Sequence, residues 1–107
     1  MEAKLQQALN NLYQDAFNKL NEFKAQLPDN LKGFIDAQMK NLEHARTELA
    51  KDINFYVIND KPDDIKLKNF KIHCADRFLA IVLLSEPERI KSYGITYDEY
   101  INPRKSR

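Results

Sequence analysis

Leu5, Leu9, Leu12, Ala16, Leu20, Phe23 and Leu27 recur at steps of three and four, which keeps them on one face of a helix. Lys4, Gln7, Asn11, Asp15, Asn18, Glu22 and Gln26 form the opposite, polar row. The pattern predicts one long helix over 2–27. Its apolar period repeats every eleven residues, which suits a nearly straight rod better than a left-handed heptad coil. Pro28 should end it, because proline has no N–H with which to continue the ladder. A second helix is predicted over 30–58, with Asp29 or Asn30 as its cap. Ile35, Met39, Leu42, Leu49, Ile53 and Tyr56 mark its apolar face, with Arg46 the polar exception. Asp36 and Lys40 form a favourable pair one turn apart on the polar side. The stretch Phe55-Tyr56-Val57-Ile58 is apolar on every side, and a short strand is the alternative there.

Asn59 to Asp64 is the clearest loop. A third helix is predicted over 65–84, where Phe70, Cys74, Phe78 and Ile81 share a stripe and no turn residue interrupts. Ile65-Lys66-Leu67-Lys68 alternates, so a strand over 65–72 is the competing reading. From Phe78 to Leu84 the chain is apolar all round, and Phe78, Ile81, Val82 and Leu84 are expected to be mostly buried. Ser85-Glu86-Pro87-Glu88 reads as a capping box opening a short helix that Gly94 stops. Thr96-Tyr97-Asp98-Glu99 opens a second, which Pro103 stops. The expected fold is all-α. A long antiparallel helical hairpin carries a buried third helix and one or two short C-terminal helices in a single domain over 1–102. Residues 103–107 are expected to form a short, basic, disordered tail. The two long rods, each about 40 Å, outrun the third helix, so a second copy or another protein is expected to cover part of them. A bend at Pro28 and Gly33, without reversal of the chain, is the alternative path.

Composition supports few, long elements. The 107 residues include only two glycines, Gly33 and Gly94, too few for the turns of a sheet protein. Seventeen basic and sixteen acidic residues leave a formal charge of +1, and no segment has the basic excess that drives phosphate binding. Cys74 is alone, so no internal disulfide can form. The sequence Met1-Glu2-Ala3-Lys4-Leu5 lacks a signal-peptide apolar core, and the apolar run from Phe78 to Leu84 is too short to span a bilayer. A cytoplasmic chain without a membrane segment is expected.

Candidate chemistry is sparse. His73, Cys74, Asp76 and Arg77 are neighbours, but adjacent helical positions point about 100° apart, so His73 and Cys74 do not converge. Cys74 falls on the apolar stripe, which implies an inert thiol. His44 and Glu48 have metal-ligand spacing without a second pair, and neither metal nor cofactor is expected. Asp63-Asp64 and Asp98-Glu99 sit at helix starts, where the helix dipole accounts for them. Residues 89–100 have a helix-turn-helix outline, yet Asp98 and Glu99 would face phosphates. Tyr13, Phe17, Tyr93, Tyr97 and Tyr100 are the candidate partner-binding residues, since tyrosine combines contact area with a polar tip. The expected function is non-enzymatic protein binding, as in a small accessory, inhibitor, immunity or chaperone-like protein. The partner would be another protein or a second copy. The alternative is a nucleic-acid-associated regulator using the short C-terminal helices with Arg104, Lys105 and Arg107. An enzyme whose site is assembled between subunits is the third class.

Overall fold

The computed structural model describes residues 1–93. The expectations for Gly94, Tyr97, Tyr100, the second capping box and the tail with Arg104, Lys105 and Arg107 lie outside the described residues. Within them the protein is an all-α bundle of three long helices, α1 (Glu2–Ala25), α2 (Lys32–Val57) and α3 (Asp63–Leu84), followed by helical residues 87–93.

α1 forms as its spacing predicts. Leu5, Ala8, Leu9, Ala16, Leu20 and Phe23 are buried, and Leu12 is half-buried against the same core. The helix closes at Ala25, where the Lys24 carbonyl accepts the Leu27 N–H at 3.2 Å and also the Lys32 Nζ at 3.1 Å. Leu27 is buried and anchors the turn. Pro28 is extended (φ −65°, ψ 156°), and Asp29–Leu31 forms a 3-10 turn. Here the expected cap is corrected. The residue before α2 is Leu31, with no side-chain capping bond. Residues 29–31 already turn helically, so Asp29 and Asn30 lie too early to cap α2.

The chain reverses rather than bends. Arg46 donates to Asn10 Oδ1 at 2.9 Å, and Lys24 Nζ lies 2.7 Å from Asp36 Oδ1. Late residues of one helix meet early residues of the other, which is antiparallel pairing. α2 and α3 pair the same way through Arg77–Glu48 and His73–Asp52. Gly33 makes no turn. It lies in the first turn of α2, without positive φ, and a Cβ there would meet nothing within 4 Å. Gly33→Ala is therefore expected to raise stability by about 0.5–1 kcal/mol. Urea denaturation checks this, and a loss would mean that the glycine serves some contact at this turn.

Residues 65–72 are helical, and the reason lies in Lys66. It is the most buried residue of the alternating run, while Ile65 is exposed. The Lys66 stem crosses the core edge, and its Nζ donates to the Val57 carbonyl at 2.9 Å, placing a cation on the C-terminus of α2. Ile65 and Lys66 have thus exchanged the places their polarity suggests, whereas Leu67 is half-buried and Lys68 exposed. Residues 55–57 likewise stay helical, with Tyr56 and Val57 half-buried and Phe55 and Ile58 exposed.

The burial expected all round Phe78 to Leu84 is corrected. Phe78 is buried, and Ile81 and Val82 are half-buried, but Leu84 is 42% exposed, Leu83 44% and Leu79 53%. Among the described residues, α1 and α2 are the long helices that pack on α3, and both lie on the side of Phe70, Cys74 and Phe78. The Ser85 hydroxyl donates back to the Ile81 carbonyl at 2.6 Å and closes α3, so this side chain is engaged behind the short helix it was expected to open. Ile90 of the segment 87–93 returns to the main core.

Candidate functional site

Two surfaces of α3 are candidates for a functional site: its polar seam with α2 and its outer face. α2 supplies His44, Glu48 and Asp52 at steps of four, and α3 supplies His73 and Arg77 at the same step, so antiparallel packing matches them in pairs. His73 Nε2 lies 3.1 Å from Asp52 Oδ2, and Arg77 donates to Glu48 Oε2 at 3.0 Å. His44 Nε2 approaches the other oxygen of Glu48 at 3.1 Å. Tyr56 stacks beside the His73 ring at 6.2 Å. The Arg77 hydrogen bond holds the Glu48 carboxyl below its ordinary value, with His44 adding to the effect. Glu48 thus favours the fold above the usual carboxylate range, and this contribution is lost as pH falls through its lowered pKa.

His73 and Cys74 do not converge. His73 turns to Asp52, while Cys74 is fully buried. Burial, with the charge of Asp52 adding, pushes the thiol up to about 12. A thiol so held is protonated at neutral pH and a poor nucleophile. No labelling of the native protein by a thiol reagent is therefore expected at pH 7 within the time that an unfolded control is complete. The sign of the shift also sets an alkaline limit. The unfolded thiol ionises near pH 9 and the folded one near 12, so stability is full below about 9 and falls through that window. Cys74→Ala should flatten this fall. Among the described residues no group of three or more metal-type ligands is close enough to hold an ion.

Open grooves run beside these surfaces. One of about 460 Å³ between α2 and α3 is lined by His44, His73, Asp76, Arg77, Ile81 and Leu84, among others. Another, of about 360 Å³ between α1 and α3, is mainly apolar, with Leu12, Phe78, Leu79 and Val82 in its walls. The sequence-predicted aromatics are placed differently. Tyr13 and Phe17 are half-buried, with ring centroids 6.1 Å apart. Tyr13 also meets Phe78 edge-on at 6.2 Å and carries the Arg46 guanidinium 4.6 Å above its ring. That stacking explains the polar exception on the apolar face of α2. Tyr93 is exposed.

The outer face of α3 carries the residues that sequence reasoning missed. Ile65, Ile72, Leu79 and Leu83 are each at least 41% exposed and spaced seven, seven and four apart. On an ideal helix these positions fall within about 40° of one another. They lie on the side of α3 away from Phe70 and Cys74. The signal was present as a second apolar row on the same helix. It was hidden because every apolar residue after Phe78 was assigned to the core.

The protein is thus an up-down-up helical bundle with a tied polar seam and an apolar outer row. No protein-family model, curated protein or solved structure matches the chain. No helix among the described residues is long and apolar enough to cross a membrane.

Proposed function

We propose that the chain is a non-enzymatic protein-binding module of the small accessory, inhibitor, immunity or chaperone-like kind, acting in the cytoplasm through a helical surface. The observation that carries this reading is the exposed row Ile65, Ile72, Leu79 and Leu83. Aligned, solvent-facing apolar side chains along one helix form the pattern that a partner helix or groove covers. The seam residues support the same reading, because their polar groups are spent on one another. Tyr93 extends the accessible aromatic area beyond α3.

The test is affinity capture from a lysate in which the tagged chain is co-expressed with an untagged copy. Leu79→Glu serves as the matched control, and both baits are used with and without nuclease. A defined protein, foreign or untagged copy, is expected on the wild-type bait, resistant to nuclease and lost from Leu79→Glu. Nucleic acid that nuclease removes would replace this reading with the regulator. Equal recovery on both baits would remove the α3 row as the binding surface.

A further inference from the structure

We infer that the pocket at the α2–α3 turn binds a phosphate monoester carried on an aromatic body. This site shares no residue with the outer row of α3 and does not depend on the protein-binding reading. Phe55, Tyr56, Asn59, Lys61, Lys66 and Asn69 line an open pocket of about 470 Å³, within the size range of small-ligand sites. Lys66 is the residue that points to an anion. It is only 9% exposed, yet among the described residues its ammonium has one acceptor, the Val57 carbonyl at 2.9 Å, and no carboxylate partner. An ammonium carries three N–H groups, so two remain for a ligand. The end of α2 supplies only about half a negative charge. Burying a cation without a full counter-ion is costly, and an anion in this pocket would offset that cost.

The rest of the lining agrees. Lys61 is exposed and, among the described residues, pairs with no carboxylate. Asn59 spends its Oδ1 on the Lys61 N–H at 2.9 Å, which leaves its amide nitrogen to donate. The half-buried Asn69 has no side-chain hydrogen bond among the described residues. No carboxylate lines the pocket. Asp52, one turn before Tyr56, is held by His73 at 3.1 Å, and Asp60, Asp63 and Asp64 pair with no lysine among the described residues. Lysines act as point charges and suit a phosphate, whereas a guanidinium fork would match a carboxylate. Two ammonium groups also balance the charge of about −1.5 to −2 that a phosphate monoester carries at pH 7. Phe55, 71% exposed, and Tyr56 supply the flat apolar wall for an aromatic body.

Titration of the full chain with phenyl phosphate, followed by amide shifts in NMR, tests this. Saturable shifts centred on residues 55–69 are expected. Inorganic phosphate should bind about fivefold more weakly, because it lacks the ring. Phenol should give no saturable shift there, because it lacks the charge. Lys66→Met keeps the buried stem, removes the ammonium and should weaken phenyl phosphate about tenfold. Lys61→Gln and Phe55→Ala change exposed side chains, so they report on the pocket even if Lys66→Met fails to fold. Lys61→Gln should weaken both phosphates about threefold, whereas Phe55→Ala should weaken phenyl phosphate and leave inorganic phosphate unchanged. A nucleoside monophosphate and a phosphotyrosine peptide, titrated likewise, distinguish a free metabolite from a modified protein as the source, and the tighter of the two names it. No saturable shift with phenyl phosphate overturns the inference. So does equal binding of phenol, or wild-type affinity in both Lys61→Gln and Phe55→Ala.

Discussion

Phe70→Ala is expected to lower the unfolding free energy by about 3–5 kcal/mol. Phe70 is fully buried at the junction where α3 leaves the loop and meets the end of α2. Its ring meets Tyr56 edge-on, with centroids 5.1 Å apart. Such a pair adds about 0.5–1.5 kcal/mol to the area it buries. Burial raises the Tyr56 hydroxyl pKa, the charge of Asp52 adding to it. On either side of Phe70, Lys66 ties α3 to the Val57 carbonyl and His73 ties it to Asp52. Truncation would empty the space between these polar ties. A small domain has only about 5–15 kcal/mol in total, so the variant should sit close to its unfolding limit. Guanidinium denaturation with the slope unchanged is the measurement. A loss below about 1 kcal/mol would mean that α2 and α3 do not depend on this ring.

The rods were legible because α1 and α2 obey a single rule, one apolar face against one core. Leu5 through Phe23 and Ile35 through Ile53 are where periodicity alone puts them. The turn between them was legible only in outline, since Pro28 marks the break but not the 3-10 turn that makes side-chain capping unnecessary. α3 was less legible because it serves two rows. Periodicity reports that a position is apolar and repeats, but not which neighbour covers it. Lys66 shows the complementary failure. Its charge suggested solvent, yet its long stem is buried and only the ammonium finds a polar atom. The polar seam was invisible for a related reason. His44 and Glu48 show only a one-turn spacing, and neither they nor Asp52 reveals a partner until the antiparallel register sets His73 and Arg77 beside them. Arg46 was visible as an exception without a cause, because Asn10 and Tyr13 lie more than thirty positions away.

Phe78→Ala and Leu83→Ala should separate the two rows of α3. Both side chains belong to the same apolar run, and a helix buried all round would make both truncations costly. In the bundle Phe78 is 3% exposed and its ring meets Tyr13, whereas Leu83 is 44% exposed. Phe78→Ala is expected to cost about 3–5 kcal/mol, as for other buried aromatics. For a domain of this size that is a melting temperature lower by roughly 15 °C or more. Leu83→Ala is expected to cost under about 1 kcal/mol, because water already covers much of the side chain. The stabilities are compared at protein concentrations low enough that association adds nothing to either value. Raising the concentration then affects the two variants to different extents. If the outer row binds a second copy, the melting temperature of the wild type and of Phe78→Ala should climb with concentration, because both keep that row. The climb should be smaller for Leu83→Ala, which has lost a member of it. Equal costs for the two truncations at low concentration would mean that Leu83 is core after all, and the outer row would then be too short to hold a partner.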